Sequence, residues 1–319
     1  MSLKACIYKG ILCLGMLISS TSAGSLCFPT SATTLHTFPN HTWAENIAVR
    51  PNGQILVTTL QNGAQLWQID PFHETDPVIV HQWSNRTGLT GIAELEPDVF
   101  AVIASDLSLS PLTIGSGSYE IWRVELHNNH PHVSLVAPIP EAKLLNGMGA
   151  FDRESGTVLV ADSLLNSLWF VNTRTGSYKQ VIHDPVPISG PNSTLNLGIN
   201  GVRVFGDDIY FDNMGEEVLL KVPKYAAEGY PAPVDVVANL TVASDDFTFD
   251  IEGNAYIAGS NKITKVSPSG AQCVYSAADA IQGSTSAAWG RTSLDATTLY
   301  VTTKIGRLVA IRIAESVAN

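Results

Sequence analysis

The stretch SDDFTFDIEGNAYIA, residues 244–258, combines two adjacent carboxylates with the pattern of two short β-strands joined by a turn. Apolar side chains alternate along its first half, as at Phe247 and Phe249, and a Glu-Gly-Asn sequence then marks the turn. Asp245 and Asp246 stand where the first strand begins. Charge at the start of a strand that otherwise has a core pattern predicts that this end of the strand meets a polar environment.

A second stretch, WAENIAVRPNGQILVTT at residues 43–59, has the same construction. Glu45 opens an apolar run, and a Pro-Asn-Gly sequence makes the turn. Glu45 and Asp245 each stand eight residues before the glycine of their turn (53 − 45 and 253 − 245). The equal spacing of an acid and a turn glycine in two distant stretches indicates an internal repeat.

The repeat occurs six times in the chain. An aliphatic residue, a two-residue spacer and then Val or Ile recur at residues 66–69, 121–124, 168–171, 219–222, 263–266 and 308–311. Each copy follows a two-strand unit, and these units begin at Glu45, Thr90, Asn146, Asn200, Asp245 and Thr285. Start-to-start separations run from 40 (285 − 245) to 56 (146 − 90). This period, with short strands and no amphipathic helix, predicts an all-β, six-bladed β-propeller with four-stranded blades around a central channel.

The composition fits one globular domain. The 319 residues are 45% hydrophobic and 15% charged, with a net charge of −11. No cluster of Lys or Arg is present, which argues against nucleic acid and anionic membranes as partners. No Pro- or Ser-rich linker interrupts the repeat, so we predict a single propeller domain over residues 24–319. The Gly- and Ser-containing stretch at residues 105–118 falls between strands of one blade and is predicted to be a rim loop.

The N-terminal residues have the parts of a secretory signal peptide, predicted over residues 1–23. Lys4 and Lys9 supply positive charge, residues 10–18 form a short apolar run, and a Thr-Ser-Ala sequence ends the segment. A buried helix fits less well because the apolar run stops abruptly, and a membrane span fits less well because the run is short. We therefore expect the protein in the secretory pathway or outside the cell, without a membrane span.

Cysteines and glycosylation sequons agree with that compartment. Removal of the signal peptide leaves Cys27 and Cys273, which predict one disulfide, although two unpaired buried thiols stay an alternative. Four N-glycosylation sequons begin at Asn40, Asn85, Asn192 and Asn239.

Polar residues begin the two-strand units, and in a propeller the innermost strands surround one channel. The six starting residues are therefore expected to converge at one mouth, with two carboxylates, two amides and two hydroxyls among them. Such oxygen ligands suit a hard divalent cation, Ca²⁺ or Mg²⁺, while solvated rim residues or turn formers are the alternative. Asp245 should face the channel. Asp246, one residue along a strand, should point away unless the strand start is irregular.

Four motifs resemble, in order, the successive metal-site positions of the SMP-30/gluconolactonase family. They are AENIAV around Glu45, LLNGMGAFD around Asn146, GINGVRV around Asn200, and SDDFTFDIEGNAYIA around Asp245. The last blade, STSAAWG to LYVTT at residues 284–303, is similar to the closing motif of that family. The resemblance covers most of the chain after about residue 42.

The resemblance implies a divalent cation held by Glu45, Asn200 and Asp245, no organic cofactor, and Asn146 as a substrate-supporting group. It also implies that Asp245 serves as the catalytic general base. Two departures are visible. Asp246 replaces the glycine that usually follows that aspartate, and TGLTGIAEL in the second blade lacks a clear polar signature.

The sequence pattern WxENIAVRxNGxxLVT, together with the secretion signal, resembles a fungal branch of this superfamily. That branch includes proteins similar to hetero-Diels–Alderases, which join a tropolone quinone methide to a macrocyclic sesquiterpene alkene. Such chemistry needs a dry cavity and a polar group that assists loss of water. Asp245 is the catalytic candidate, and Asn146, Asp246 and Trp289 are the substrate-binding candidates. Phe247, Met148 and Met214 are further apolar candidates, and for these and Trp289 ordinary blade packing is the alternative.

Three functions are consistent with the sequence. The first is a pericyclase of secondary metabolism acting on small molecules. The second is a metal-dependent lactonase or ester hydrolase that uses the same polar ring, and the third is a non-catalytic ligand-binding propeller. The hydrolase depends on a metal, whereas the pericyclase tolerates its loss if cavity shape dominates. The sequence leaves the substrate and the oligomeric state open, because propeller specificity resides in variable rim loops.

Overall fold

The computed structural model describes residue 27 and residues 30–39, 42–127, 130–183 and 197–313. The predicted signal peptide lies outside these ranges, as do the sequon residues Asn40 and Asn192. Asn85 and Asn239 are described and are exposed, and their glycosylation stays a prediction. No helix in the described ranges has the length and apolarity that crossing a membrane requires.

The described strands form six groups of four and one small two-stranded hairpin, introduced here in chain order. The first strand, β1 (Thr30–Thr37), joins the last blade. Blade one contains β2 (Trp43–Val49), β3 (Ile55–Leu60), β4 (Ala64–Ile69) and β5 (Val78–Trp83). Blade two contains β6 (Gly88–Glu96) and β7 (Val99–Ser105), then a small hairpin of β8 (Ser108–Leu109) and β9 (Leu112–Thr113), then β10 (Glu120–Glu125) and β11 (His132–Pro138). Blade three contains β12 (Leu145–Asp152), β13 (Thr157–Asp162), β14 (Ser167–Asn172) and β15 (Tyr178–His183).

The remaining blades follow the same order. Blade four contains β16 (Ile199–Phe205), β17 (Asp208–Asn213), β18 (Val218–Pro223), a 3₁₀ helix (Lys224–Glu228) and β19 (Asp235–Asn239). Blade five contains β20 (Asp246–Phe249), β21 (Ala255–Gly259), β22 (Lys262–Val266) and β23 (Gln272–Ser276), followed by a 3₁₀ helix (Asp279–Ile281). Blade six contains β24 (Ser284–Trp289), β25 (Leu299–Thr303) and β26 (Arg307–Ile313), with β1 as its fourth strand.

The strand pairing confirms the predicted all-β propeller with four-stranded blades. Four blades are separate antiparallel sheets, and blades one and two are joined into one eight-stranded sheet by the single pair of Leu60 with Gly88. The strand β1 pairs along its length with β26, so a strand from the beginning of the chain closes the last blade. That closure was not predicted from the sequence.

The two stretches that revealed the repeat adopt the same turn. In each turn the glycine N–H donates to the carbonyl three residues earlier, at 2.9 Å for Gly53 and 3.1 Å for Gly253. Both glycines have positive φ, 87° and 81°, a conformation that side-chain-bearing residues rarely adopt. The recurring aliphatic motif falls in the third strand of every described blade, and the core lies between neighbouring blades, where these strands bury their apolar faces.

The predicted disulfide between Cys27 and Cys273 is confirmed, with Cα atoms 5.3 Å apart. Cys273 lies in β23 of blade five. The Cys27 N–H donates to the carbonyl of Val274, the residue after Cys273, at 2.9 Å. The segment before β1 is thus fixed to blade five, while β1 itself completes blade six. A disulfide of this kind is consistent with the expected oxidising compartment.

Replacing both cysteines with serine should lower the free energy of unfolding by about 2–4 kcal/mol, because the bridge constrains the unfolded chain across 246 residues. Urea unfolding of the wild type and the double variant measures the change. Peptide mapping without reductant is the control. Two alkylatable thiols in the folded wild-type protein would contradict the pairing.

Candidate functional site

The start of each innermost strand and the end of the strand beside it lie at the same end of the propeller, because the two strands are antiparallel. The turns between second and third strands therefore border the same mouth as the strand starts. A cavity of about 720 Å³ occupies this mouth. Its volume lies within the range of small-molecule sites, about 300–1,000 Å³.

Four of the predicted polar residues line the cavity together: Glu45, Asn146, Asn200 and Asp245. They come from blades one, three, four and five, and are separated by up to 200 positions in the chain (245 − 45). Glu45, Asn146 and Asn200 are buried, and the half-buried Asp245 keeps part of its surface toward the cavity. The structure thus brings together the residues that the repeat aligned.

The two threonines of the predicted ring have other partners. The Thr90 hydroxyl donates to the Leu145 carbonyl at 3.0 Å, and the Thr285 hydroxyl donates to the Ala44 carbonyl at 2.7 Å. Each bond joins one blade to the next, and neither threonine lines the cavity. Their role is to hold neighbouring innermost strands together, so the predicted ring contributes two carboxylates and two amides to the mouth.

Two polar side chains hold the carboxylates in place. Trp43 donates its indole N–H to Glu45 Oε2 at 2.6 Å, and Asn200 donates its amide N–H to Asp245 Oδ1 at 2.9 Å. Trp43 and Glu45 are two residues apart on one strand and so share a face, a relation that the sequence could have revealed. Asn146 donates to the Ser163 hydroxyl at 3.3 Å.

Burial raises the pKa of Asp245 to about 7, and the charge of Asp246 adds to the increase. The hydrogen bond from Asn200 and the charge of Lys304 act in the opposite direction. Burial also raises the pKa of Glu45 well above its usual range, and the Asp245 charge is the second cause. The two carboxyl groups are thus electrostatically linked, and the pair retains a proton near neutral pH.

A raised carboxyl pKa gives a defined pH dependence of stability. The folded pKa of Asp245 exceeds its unfolded value, so the folded state binds the proton more tightly and stability falls as pH rises between the two values. With a chelator present, the free energy of unfolding of the wild type should fall from about pH 5 to about pH 8 more steeply than that of Asp245→Asn. Urea unfolding at each pH measures both slopes. Equal slopes would contradict the raised pKa.

Three charged residues at the mouth were not found from the sequence. Lys304 lies in the turn after β25, and Glu216 and Glu217 lie in the turn after β17. All three line the cavity. Each follows the second strand of its blade, which is the position that borders the mouth in an antiparallel propeller blade. Lys304 is the cationic residue among the described lining residues, and its charge acts on Asp245.

Asp246 points toward the channel axis, below the cavity. Its Oδ2 accepts hydrogen bonds from Arg203 at 2.6 Å, Ser286 at 2.8 Å and Asn46 at 3.0 Å. These partners belong to blades four, six and one. Asp246 therefore does not point away from the channel as it would in a regular strand, because the exception stated for an irregular strand start applies. Asp245 precedes β20 and donates its N–H to Ala258, the residue that also pairs with Asp246, so two residues lie opposite one.

The same irregularity recurs in the other described blades. The innermost strands β2, β6, β12, β16 and β24 each have a register shift at their start. The glycine that follows Asn200 is part of this arrangement, because a Cβ on Gly201 would lie 2.6 Å from Asp246 Oδ1 and 2.7 Å from Asp212 Oδ1. Glycine thus permits close approach of buried carboxylates from neighbouring strands.

The predicted apolar contacts are divided between cavity and core. Trp289 packs edge-on against Tyr256 with ring centroids 4.9 Å apart and does not line the cavity. It lies five residues along β24 from Ser284, which does line the cavity, a distance of about 16 Å at the usual strand rise. Phe247 and Met148 are buried in the core, whereas Met214 lines the cavity. Neither Asp246 nor Trp289 lines the cavity, so the cavity does not support their predicted role in substrate binding, which stays untested.

The predicted rim loop supplies four of the apolar side chains that line the cavity, and Leu60, Leu144, Leu197 and Met214 add others. The small hairpin β8–β9 and its flanking residues contribute Leu107, Leu109, Leu112 and Ile114 to the lining. The cavity therefore has a mixed lining: blade two contributes only apolar side chains, whereas the carboxylates come from blades one, four and five. The sequence located this loop on the rim but did not assign its leucines to the site.

Comparison with solved structures supports the propeller fold. A calcium-binding protein described as regucalcin, from Agrobacterium tumefaciens strain C58, has a TM-score of 0.64 at 15% identity, covering 90% of this chain and 95% of that protein. A provisionally named gluconolactonase has a TM-score of 0.62 at 12% identity, covering 89% and 93%. At these identities the likeness concerns the fold alone.

Sequence comparison finds similarity of a more specific kind. No protein-family model matches the chain. A Phoma sp protein provisionally named hetero-Diels-Alderase is 28% identical over 323 residues, covering 89% of this chain and 90% of the relative. A Sarocladium schorii protein with the same provisional name, asR5, is 29% identical over 322 residues, covering 87% of this chain and 79% of the relative. The predicted resemblance is confirmed. The chain is a propeller of the gluconolactonase-like fold and is similar to hetero-Diels–Alderase-named proteins along most of its length.

The donors at the mouth fit a hard cation by their chemistry. Glu45 and Asp245 offer carboxylate oxygens, and Asn146 and Asn200 offer amide oxygens, all ligand types that Ca²⁺ and Mg²⁺ accept. The described residues contain no cluster of three or more His, Cys, Asp or Glu side chains arranged for metal binding. A cation would therefore depend on the amides and on water for the rest of its coordination.

Proposed function

We propose that the protein is a secreted tailoring enzyme of secondary metabolism that catalyses a hetero-Diels–Alder cycloaddition. Its substrates would be a tropolone quinone methide, or the alcohol that precedes it, and a macrocyclic sesquiterpene alkene. The observation that carries the proposal is the cavity of about 720 Å³, whose lining combines an acid pair with the apolar side chains of the rim loop. Similarity to the two hetero-Diels–Alderase-named relatives supports the same reading.

The acid pair fits the loss of water that forms the heterodiene. In that step, one carboxyl group donates a proton to the leaving hydroxyl group, and a carboxylate accepts the proton of the tropolone hydroxyl. A carbon–oxygen bond breaks, water leaves, and the quinone methide remains. Glu45 and Asp245 retain a proton between them near neutral pH, so the pair contains both an acid and a base.

The cycloaddition itself needs positioning more than proton transfer. One carbon–carbon and one carbon–oxygen bond form between heterodiene and alkene, and no group leaves. A cavity that holds both substrates in reactive geometry converts a bimolecular reaction into an effectively unimolecular one. The reaction is then accelerated without a covalent intermediate. The cavity's apolar wall excludes water on one side, and the polar side orients the oxygen-bearing partner.

Hydrogen-bond donors at the mouth would polarise the heterodiene oxygen. Lys304 lines the cavity and carries a positive charge, and Asn146 presents an amide. A donor that contacts the oxygen as negative charge develops there stabilises the transition state more than the ground state. We assign this role to Lys304, since the Asn200 and Trp43 donors already bind Asp245 and Glu45.

The direct test is an assay with the alcohol precursor, the alkene and purified protein, with chromatography on a chiral phase. We expect one cycloadduct stereoisomer above the uncatalysed background, and less of it with Lys304→Met. Formation of the same isomer mixture with and without protein would refute the cycloaddition.

A metal-dependent lactonase is the second candidate, favoured by the four oxygen-bearing side chains that line one cavity. The gluconolactonase and calcium-binding neighbours share the fold, which is compatible with this candidate. When bound, a divalent ion would polarise the lactone carbonyl. Asp245 would then act as the base toward water, held in place by the amide of Asn200.

Metal binding can be measured without an activity assay. Ca²⁺ or Mg²⁺ should raise the melting temperature of the chelator-treated protein, increasingly so as its concentration exceeds Kd. The Glu45→Gln variant should respond less. Elemental analysis of the purified protein provides the control, and an unchanged melting temperature with both ions would argue against a metal at this site.

A further inference from the structure

We propose that the hairpin insertion of blade two, residues 105–118, is the subsite that selects a neutral hydrocarbon as one of the two substrates. This inference rests on the proposed cycloaddition and adds to it the location of the alkene. The residues that determine this selectivity would be Leu109 and Leu112, with Leu107 and Ile114 beneath them.

The insertion places four apolar side chains on one side of the cavity. Leu107 is 4% exposed and belongs to the core, so it forms the base of this wall. Leu112 lines the cavity and is 51% exposed. A leucine left half in water at the edge of a cavity gains from an apolar ligand that covers it, because burying apolar surface is favourable. A polar ligand would provide no such gain.

The base of the insertion is held by hydrogen bonds on both sides, so the wall is part of a built site. The Thr87 hydroxyl donates to the Leu107 carbonyl at 2.8 Å, and the Tyr119 hydroxyl donates to the Ile114 carbonyl at 2.7 Å. The N–H of Asp106 donates to the Ser118 hydroxyl at 2.9 Å, which ties the two ends of the insertion together.

The charged residues that line the cavity come from blades one, four, five and six, and none comes from the insertion. They are Glu45, Asp245, Glu216 and Glu217, with Lys304 as the cation among the described lining residues. An anionic second substrate would be repelled by these acids, and a polar one would leave the leucines without a partner. A neutral hydrocarbon avoids both costs, and the oxygen-bearing substrate then occupies the acidic side.

Equilibrium binding without turnover tests the subsite. Pyrene, a neutral fluorescent hydrocarbon, serves as the apolar probe, and the sesquiterpene alkene competes with it. Tropolone serves as the polar probe. In Leu112→Ser the Kd for pyrene should rise by about three- to tenfold, as expected for losing contact with half a leucine. The Kd for tropolone should stay the same, and Leu112→Met should restore pyrene binding.

Leu135 provides a matched control, because it is 48% exposed, lies in β11 of the same blade and does not line the cavity. Leu135→Ser should leave both Kd values unchanged. Equal losses of pyrene binding in Leu112→Ser and Leu135→Ser, or no loss in either, would overturn the inference. Failure of the proposed cycloaddition would give a different result. Leu112→Ser would still weaken pyrene binding, but the wild-type protein would form no cycloadduct. An active enzyme with unchanged pyrene binding would reject the subsite alone.

Discussion

Replacing Asp245 with asparagine should lower turnover of the alcohol precursor by about 10²–10⁴-fold, the usual contribution of general acid–base assistance. The substitution preserves shape and the hydrogen bond with Asn200 can re-form, but the side chain no longer exchanges a proton. Glu45 is then left without its linked partner. Steady-state rates of the variant and the wild type measure the loss.

A preformed quinone methide separates the two steps of the proposed reaction. It needs no dehydration, so Asp245→Asn should convert it with a much smaller loss and with unchanged stereochemistry. Asp208→Asn is the control, since Asp208 pairs with Lys221, opens β17 at the end away from the mouth, does not line the cavity and should keep full activity. Similar losses with both substrates would contradict proton transfer by Asp245. Full activity of the variant with both substrates would contradict a catalytic role for Asp245, whereas no turnover by the wild type would favour the non-catalytic binding protein.

The repeat predicted much of the site because it aligned equivalent positions. The spacing from Glu45 to Gly53 and from Asp245 to Gly253 defined the innermost strands, and these strands converge on the channel. Glu45, Asn200 and Asp245 were therefore found without any knowledge of their distance in space. A local pattern sufficed because each blade places its strand start at the same mouth.

The irregular strand starts were not predictable from alternation. A regular strand sends neighbouring side chains to opposite faces, which placed Asp246 away from the channel. The structure instead sets Asp245 and Asp246 against one residue, Ala258, so both turn inward. The signal was present in the unusual pair of acids itself, since a buried carboxylate needs partners and Arg203 supplies one from another blade.

The positions of the turns around the cavity and the strand that closes the last blade depend on tertiary contacts, which the sequence repeat does not show. Lys304 and Leu112 border the cavity through turns whose lengths differ between blades, so the repeat gave no alignment for them. The strand β1 pairs with β26, although the two strands lie near opposite ends of the sequence. The polar sequence of β1 does not indicate which strand it pairs with. Trp289 was assigned to the cavity by residue type, but its distance along β24 places it in the packing between blades.

The second large effect concerns stability and the floor of the cavity. Replacing Asp246 with alanine should lower the free energy of unfolding by about 3–5 kcal/mol, the usual result of removing one member of a buried ion pair. Asp246 is 2% exposed and accepts hydrogen bonds from Arg203, Ser286 and Asn46. Its loss leaves a guanidinium and two polar side chains on the channel axis without their shared acceptor.

Denaturant unfolding of Asp246→Ala and of Asp208→Ala distinguishes this network from an ordinary ion pair. Asp208 and Lys221 are 2.8 Å apart, but their side chains are 27% and 35% exposed, so their pair should contribute less than about 1 kcal/mol. If Asp246→Ala does not fold, Asp246→Asn retains one acceptor oxygen and should give an intermediate loss. Equal, small losses in Asp246→Ala and Asp208→Ala would contradict the network. A large loss specific to Asp246 would assign this residue the task of holding four blades together around the channel, a task separate from the proton transfer proposed for Asp245.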